Sequence, residues 1–286
     1  MYYADANKVL TQKKDGFFYL NTTKSKLIYC SSENNGICYR ILTQGHYINS
    51  GSNSSESDAA SNPLLTINGD DEASAVAKSS VTTETYYLDA SSEAEKDSFK
   101  RLISCMDNQG TIVCSSISPS EGYYLNAARD KLTDAIITCS GTPVKCKKGN
   151  GVNGFSYIDA GKEGNIISCA DACSTAPGSK MQGHTYIDGT ETTTPNIMIT
   201  YDRSEGKFVS TTLDLSSTAV YYISAVNPEE PIECVTPAGC AAAPLSGDDV
   251  FYEDATDSNY IITCRDSEGC FSSKGKFFLQ IKKIDI

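Results

Sequence analysis

Short apolar runs alternate with longer polar segments along the whole chain. The runs are rich in Tyr, Ile, Leu and Val, and clusters of Gly, Asn, Asp and Ser bound them, as around Tyr123-Tyr124-Leu125. Neighbouring side chains of a strand face opposite sides of a sheet, and aromatic and β-branched residues favour strands. The pattern therefore predicts an all-β chain of short strands separated by turns.

The strands recur as a repeat. Most copies have an aromatic strand in which Tyr precedes Leu or Ile and then Asn or Asp, and most continue with an aliphatic run into a cysteine and a second cysteine after a short loop. Weaker copies occur at Tyr222-Ile223-Ser224 and Tyr252-Glu253-Asp254. The tyrosines of the copies are Tyr19, Tyr47, Tyr87, Tyr124, Tyr157, Tyr186, Tyr222 and Tyr252. A unit of this size buries too little surface to fold alone, so neighbouring units must pack together.

This repetition predicts a repeat protein, specifically a β-solenoid of about eight disulfide-stapled coils, with the Asn/Asp positions at the corners where the chain turns. A string of small disulfide-linked β modules is the alternative. We place a truncated repeat at 1–15, a first group of four repeats at 16–153, a second group of four at 154–275, and the start of a further repeat at 276–286.

The cysteines form close couples in the sequence. They are Cys30 with Cys38, Cys105 with Cys114, Cys139 with Cys146, Cys169 with Cys173, Cys234 with Cys240, and Cys264 with Cys270. Two repeats lose both cysteines together and none loses only one, which is expected of bonded partners. In one of these repeats, Tyr201 and Phe208 stand where the cysteines stand elsewhere. We predict six local disulfides, with zinc ligation as the competing interpretation.

Composition narrows the location and the partners. Disulfides on this scale require an oxidising compartment, which places the chain outside the cell as a secreted or cell-surface protein. The 36 acidic and 24 basic residues give a net charge of −12, which argues against nucleic acid as a partner. No apolar run reaches the roughly 20 residues of a membrane span, so we expect no membrane insertion.

Residues with catalytic potential are scattered along the chain. His46 and His184 both follow a glycine in a cysteine-free repeat, but neither lies in a nucleophile motif. Paired carboxylates such as Asp70-Asp71 are typical of solvated loops in so acidic a chain. We therefore assign no catalytic residue, no metal site and no cofactor.

The aromatic strand offers the stronger candidates for a binding surface. Because neighbours in a strand face opposite sides, we expect the near-constant tyrosine to pack inward, and the following aliphatic residue cannot share that direction. The position before the tyrosine varies freely, which indicates an exposed column. Exposed aromatic residues anchor protein interfaces. The predicted partner-binding residues are Phe18, Tyr86, Tyr123, Tyr221 and Phe251.

The sequence of residues 122–126, Gly-Tyr-Tyr-Leu-Asn, followed by Ile-Ile-Thr-Cys at 136–139 and by Cys146, resembles the cysteine-paired repeats of scaffoldins from anaerobic gut fungi. The likeness extends from Gly16 to Leu279. It implies a cohesin-type, non-catalytic receptor that binds the dockerin modules of secreted plant-cell-wall-degrading enzymes and assembles them into a cellulosome. The cysteine-free copies around Tyr47 and Tyr186 depart from the family pattern.

Two other functions stay open at this point. Tyrosine platforms also stack on sugar rings, so a carbohydrate-binding or adhesin domain at the cell surface, with polysaccharide as its partner, is the first alternative. A solenoid polysaccharide lyase or hydrolase is the second.

Overall fold

The computed structural model describes residues 2–4, 10–12, 16–19, 27–30, 38–50, 63–68, 73–76, 81, 86–91, 102–108, 111–181, 183–245, 250–265 and 268–275. The predicted further repeat at 276–286 and the side chains of Phe18 and Cys38 lie outside this description. The described elements are strands, so the all-β prediction is confirmed. Over these residues, no helix has the length and apolar character needed to span a membrane.

A short hairpin of β1 (Tyr2–Ala4) and β2 (Leu10–Gln12) precedes eight three-stranded repeats, numbered 1 to 8 in chain order. Their first strands are β3 (Gly16–Tyr19), β6 (Gly45–Ile48), β9 (Tyr86–Leu88), β12 (Gly122–Leu125), β15 (Ser156–Ile158), β18 (His184–Ile187), β21 (Val220–Ser224) and β24 (Val250–Glu253). Their second strands are β4 (Leu27–Cys30), β7 (Leu64–Ile67), β10 (Leu102–Asn108), β13 (Ile136–Ser140), β16 (Asn165–Cys169), β19 (Ile197–Asp202), β22 (Pro231–Val235) and β25 (Tyr260–Arg265). Their third strands are β5 (Cys38–Arg40), β8 (Ala73–Val76), β11 (Thr111–Ile117), β14 (Lys145–Gly149), β17 (Cys173–Pro177), β20 (Lys207–Thr212), β23 (Gly239–Ala242) and β26 (Gly269–Lys274).

Every repeat is an antiparallel meander whose second strand lies between the other two. In repeat 4, for example, Tyr124 is opposite Ile137, and Ile137 is opposite Lys148. The strands thus pair mainly within a repeat. Short parallel pairings also connect consecutive repeats, and the one between β18 and β21 joins repeats 6 and 7 into a single six-stranded sheet. The all-β repeat architecture is present, while the β-solenoid remains a prediction.

The chain divides into two compact units. One comprises Met1–Arg129 with Asp134–Gly149, and the other comprises Asp130–Thr133 with Asn150–Ile286. The first contains β1 to β14, and the second contains β15 to β26.

Sheets inside each unit bury both of their faces. In repeat 6, Tyr186 packs against Ile166 of repeat 5, while the next residue, Ile187, packs on the opposite face against Tyr222 of repeat 7. Repeat 3 is covered on both faces in the same way. The tyrosine and the following aliphatic residue thus face opposite sides, as expected, but both are buried, which the sequence pattern did not indicate. Alternation holds, but each face has its own apolar neighbour, so consecutive residues are both excluded from water.

Five of the predicted disulfides are present with both partners described, in repeats 3, 4, 5, 7 and 8. They join Cys105 to Cys114, Cys139 to Cys146, Cys169 to Cys173, Cys234 to Cys240, and Cys264 to Cys270. Each connects the second and third strands of one repeat at directly opposed positions, with Cα atoms 4.0 or 4.1 Å apart. This short separation is typical of the close pairs in an antiparallel ladder.

The two cysteines of one bridge differ in how far they are buried. The first, on the central strand, is buried in every one of these five repeats, as at Cys105 and Cys264. The second lies on an outer strand, where Cys114 is only half-buried and Cys270 keeps 7 % of its surface exposed. Cys114 nevertheless packs against the buried cluster that contains Cys105, so both members of this bridge contact the core.

The remaining predicted bridge belongs to repeat 1. Cys30 is disulfide-bonded, and its backbone lies opposite that of Cys38. The bridges occupy the thiols that zinc ligation would need.

Repeats 2 and 6 fill the cysteine position with other side chains. In repeat 6, Tyr201 and Phe208 are directly opposed across the same two strands, and their rings meet edge to face with centroids 5.2 Å apart. In repeat 2, Ile67 lies opposite Ala73. The aromatic pair therefore replaces a covalent bridge by packing, as the alignment of the repeats predicts.

Consecutive repeats are joined through the backbone at two places. The amide that follows a corner residue donates to the carbonyl of the residue before the tyrosine in the preceding repeat, as from Ala127 to Tyr86 at 2.7 Å. The amide of a second cysteine also donates to a loop carbonyl of the preceding repeat, as from Cys240 to Pro195 at 2.6 Å. Gly239 permits this approach, because a Cβ there would lie 2.7 Å from the Pro195 oxygen.

The corner residues are buried and bonded as their Asx character predicts. Their side-chain oxygens accept from the amide two residues further on, and Asp254, at 2 % exposure, accepts from Thr256 at 2.9 Å. The residues with this contact are Asp89, Asn126, Asp159, Asp188, Ser224 and Asp254. These contacts close the turn after each first strand, so the corner prediction is confirmed.

Aspartate corners make a second contact that our sequence analysis missed. The other carboxylate oxygen accepts from a hydroxyl on the third strand, two residues after the second cysteine position. The four pairs are Asp89 with Ser116, Asp159 with Thr175, Asp188 with Ser210 and Asp254 with Ser272. The sequence indicates this contact, because the hydroxyl residue occurs together with an aspartate corner. The repeats with Asn126 and Ser224 at the corner have Lys148 and Ala242 at that position instead.

Candidate functional site

The position before each repeat tyrosine, which we predicted to form an exposed column, lies largely between repeats. Tyr86 is half-buried and its ring meets Tyr124 of the next repeat edge to face, with centroids 5.1 Å apart. Tyr123 is also half-buried, and Ser156 and Thr185, at the same position, are fully buried. The expectation of a uniformly exposed column is therefore wrong. The parallel bridge carries the tyrosine of the next repeat over this position.

Two of the predicted partner-binding residues meet in one open groove of about 580 Å³ in the second unit, which we call the aromatic groove. Its lining includes Tyr221 of β21 together with Phe251 and Tyr252 of β24. A parallel bridge between Tyr221 and Asp254, with a hydrogen bond of 3.0 Å from the Ala255 amide to the Tyr221 carbonyl, sets these strands side by side.

The aromatic surface of the groove consists of a stacked pair of tyrosines and one exposed phenylalanine. Tyr221 and Tyr252 stack with centroids 4.1 Å apart and an angle of 29° between their planes, which fixes both rings. Phe251 is 53 % exposed, the highest exposure among the aromatic residues of the described chain. It lines the groove together with Val220 and with Tyr252, its neighbour in the strand. A rigid platform with one exposed ring is a typical anchor for a partner.

Acidic groups surround these rings. The Tyr221 hydroxyl donates to Glu233 Oε1 at 2.6 Å, and this bond to a carboxylate, together with burial, raises the pKa of Tyr221 to about 12. Asp214 and Glu253 are exposed at the groove wall. Lys and Arg are missing from the described residues that line it. The groove thus combines aromatic faces with negative charge, which suits a partner that offers basic and apolar groups.

The remaining predicted partner-binding residues do not join this groove. Tyr86 and Tyr123 belong to the first unit, and the side chain of Phe18 lies outside the described residues. Sequence reasoning missed Glu233 and Tyr252. Glu233 is directly opposite Tyr221, so it follows from the strand register once the cysteines are aligned.

The described residues contain no group of three or more His, Cys, Asp or Glu side chains arranged to hold a metal ion. No protein-family model, curated protein or solved structure matches this chain. The geometry of the aromatic groove and the repeat motif are therefore the basis for a functional proposal.

Proposed function

We propose that the chain is a non-catalytic, cohesin-type receptor of an extracellular scaffold, which binds dockerin modules of secreted plant-cell-wall-degrading enzymes through the aromatic groove. The observation that carries the proposal is the exposed ring of Phe251 beside the fixed Tyr221–Tyr252 pair. The resemblance of the repeats to fungal scaffoldins supplies the identity of the partner.

The packing of the repeats supports a receptor with an outer binding surface. Because the sheets inside each unit bury both faces, their contact with a partner falls to strand edges, turns and grooves. The groove also has the chemistry of an interface centre, with aromatic anchors and a charged wall. Within each unit, we further propose that the bridged repeats continue as coils of a β-solenoid.

The disulfides are compatible with an extracellular location. We propose secretion or display at the cell surface, where a scaffold would meet the enzymes that it assembles.

Titration of the whole chain with a purified dockerin module, followed by calorimetry, tests the receptor proposal. Phe251→Ala is expected to weaken binding by about tenfold or more, the usual effect of removing an aromatic anchor. Phe271→Ala is the matched control, because Phe271 is an exposed phenylalanine of the same repeat, 38 % accessible, that does not line the groove. Equal affinity of the parent chain and the Phe251 variant would exclude the groove as the dockerin site.

The second candidate function is carbohydrate binding. The observation that favours it is the same aromatic platform with carboxylates at its wall, since sugar rings stack on aromatic faces while their hydroxyls donate to acidic groups. Retention of the chain on insoluble cellulose or xylan, lost on Phe251→Ala and preserved on Phe271→Ala, would favour this function over dockerin binding.

A further inference from the structure

The two repeats without cysteines each contribute first-strand and second-strand residues to a groove. The groove of repeat 2, in the first unit, has a volume of about 440 Å³, and that of repeat 6, in the second unit, has about 340 Å³. We call them the His46 groove and the His184 groove. Neither shares a lining residue with the aromatic groove, although Ala255 and Thr256, which are neighbours in the chain, line the aromatic groove and the His184 groove respectively.

The second-strand positions of the two grooves correspond, because each groove includes the threonine before the cysteine position, Thr66 or Thr200. The histidines differ in position: His46 directly precedes the repeat tyrosine Tyr47, whereas His184 lies two residues before Tyr186. Each groove also includes the residue that replaces the first cysteine, Ile67 or Tyr201. The side chain that takes the place of the disulfide is thus a wall of the groove in both units.

Uncharged hydrogen-bonding side chains, histidine and threonine, line both grooves. His46 Nδ1 lies 2.9 Å from the Thr66 hydroxyl, and His184 Nδ1 lies 3.1 Å from the Ser179 hydroxyl. Burial lowers the pKa of both histidines, which keeps the rings neutral near pH 7. A neutral imidazole held through one nitrogen can donate or accept with the other, as can a threonine hydroxyl. Such groups match the hydroxyls of a sugar.

The acidic groups in the grooves are engaged in their own turns. In the His46 groove, Asp89 accepts from the amide and hydroxyl of Ser91 and from Ser116. In the His184 groove, Asp202 accepts from the amide and hydroxyl of Ser204 and from the Glu205 amide. Both oxygens of Asp89 are thus engaged, whereas the three bonds to Asp202 all end on Oδ1. Asp89 is therefore poorly placed to accept from a ligand.

Each groove also contains an exposed cation, although the chain as a whole is strongly acidic. Lys148 lines the His46 groove, where its ammonium pairs with Asp134 at 2.6 Å in a solvent-exposed ion pair that contributes little and can exchange. Arg203 lines the His184 groove, and Lys180 lies 5.0 Å from the ring of Tyr201 in its wall. A carboxylate on a ligand would complement these cations.

We infer that the His46 and His184 grooves bind acidic sugar units, with the hydroxyls held by the imidazole and threonine groups and the carboxylate held by Lys148 or Arg203. The chain would then have two saccharide sites of similar side-chain chemistry, one in each unit, in addition to the dockerin contact proposed for the aromatic groove. The inference does not depend on that contact.

Calorimetric titration of the whole chain with trigalacturonate as the probe tests this inference, combined with NMR detection of the two histidine rings. We expect two bound molecules per chain and perturbed signals of both His46 and His184. Thr66→Val and Thr200→Val are each expected to abolish one of the two binding events. Thr138→Val is the matched control, because Thr138 holds the same repeat position in cysteine-bearing repeat 4 and lines neither groove.

The contribution of the cation is tested separately. Arg203 is exposed, so Arg203→Gln should leave the fold intact. The change should weaken trigalacturonate binding at the His184 groove by about tenfold and reduce the dependence of that affinity on salt. A neutral trisaccharide, maltotriose, that bound as tightly as trigalacturonate would overturn the assignment of an acidic sugar. Absence of trigalacturonate binding, or binding that all the threonine variants retain, would overturn the sites themselves.

Discussion

Replacing Asp254 by alanine tests whether a buried corner carboxylate stabilises its repeat by tying the turn to the third strand. Asp254 is 2 % exposed and accepts from the Thr256 amide at 2.9 Å, the Thr256 hydroxyl at 2.6 Å and the Ser272 hydroxyl at 2.7 Å. The carboxylate therefore ties the turn after β24 to the third strand β26. The alanine variant loses this side-chain connection between the turn and the far edge of the sheet.

The expected cost follows from these three contacts. A hydrogen bond to a charged group contributes about 1.5–3 kcal/mol net when buried. Thr256 is exposed, so water replaces part of its two bonds, whereas Ser272 is half-buried and keeps an unsatisfied hydroxyl. We expect Asp254→Ala to lower the free energy of local opening by about 3 kcal/mol, which corresponds to roughly a 150-fold loss of protection. Asp254→Asn keeps the acceptor of the turn and should cost about 1 kcal/mol.

Native-state hydrogen exchange measures this opening directly, read at the amides of β25 and β26, because the two units need not unfold together. Asp257→Ala is the control. Asp257 makes the same type of turn contact, 2.9 Å from the Asn259 amide, but this hydrogen bond is exposed to solvent, so protection should stay within experimental error. Equal loss of protection in the Asp254 and Asp257 variants, or no loss in either, would refute the argument from burial.

Three further predictions concern the repeat contacts. Cysteines in place of Tyr201 and Phe208 should form a disulfide, because these residues are directly opposed; thiol titration of the denatured chain detects the bond. Gly239→Ala should lower the melting temperature of the second unit, at a cost of about 2–3 kcal/mol, because the glycine has φ of 85° and a Cβ would lie 2.7 Å from the Pro195 oxygen. Burial and a nearby lysine lower the pKa of His46 from 6.5 to about 4, so the unfolded chain binds this proton more tightly; urea titrations should show a stability loss of up to about 3 kcal/mol as pH falls from 6.5 to 4.

Matched variants separate these effects from general damage. Cysteines at Thr200 and Phe208 are out of register and should stay reduced. Gly149→Ala introduces a Cβ with no heavy atom within 4 Å, so its melting temperature should match that of the parent chain. His46→Phe should remove most of the pH dependence between 6.5 and 4. An alanine at Gly239 that left the melting temperature unchanged, or a pH profile that His46→Phe did not alter, would contradict the corresponding reasoning.

The features decided inside a single repeat could be predicted from the sequence. Strand type, the cysteine pairs and the Asx corners each depend on contacts within one repeat, and comparison of the copies shows their columns directly. The joint replacement of two cysteines by Tyr201 and Phe208 predicts a cross-strand pair, and the two residues are directly opposed in the structure.

Features that depend on neighbouring repeats could not be predicted in the same way. Alternation along a strand gives two faces, but it does not say that both are covered, so the burial of both Tyr186 and Ile187 could not be predicted from it. The variable position before each tyrosine was predicted to be exposed, but its carbonyl accepts a hydrogen bond from an amide of the next repeat. The parallel bridge between Tyr221 and Asp254, which joins two repeats, is what places Tyr221 in one groove with Phe251 and Tyr252.

The five described disulfides each close within a single sheet, over sequence separations of 4 to 9 residues. When the two ends of the chain are pulled apart, noncovalent contacts alone resist the separation of these repeats. Each disulfide prevents the short loop that it closes from being extended. A single-molecule pulling trace should show stepwise rupture of individual repeats, with shorter contour-length gains where a bridge is present. Repeat 6, which has an aromatic pair instead, should release its full length and act as an extensible link in a chain that bears load.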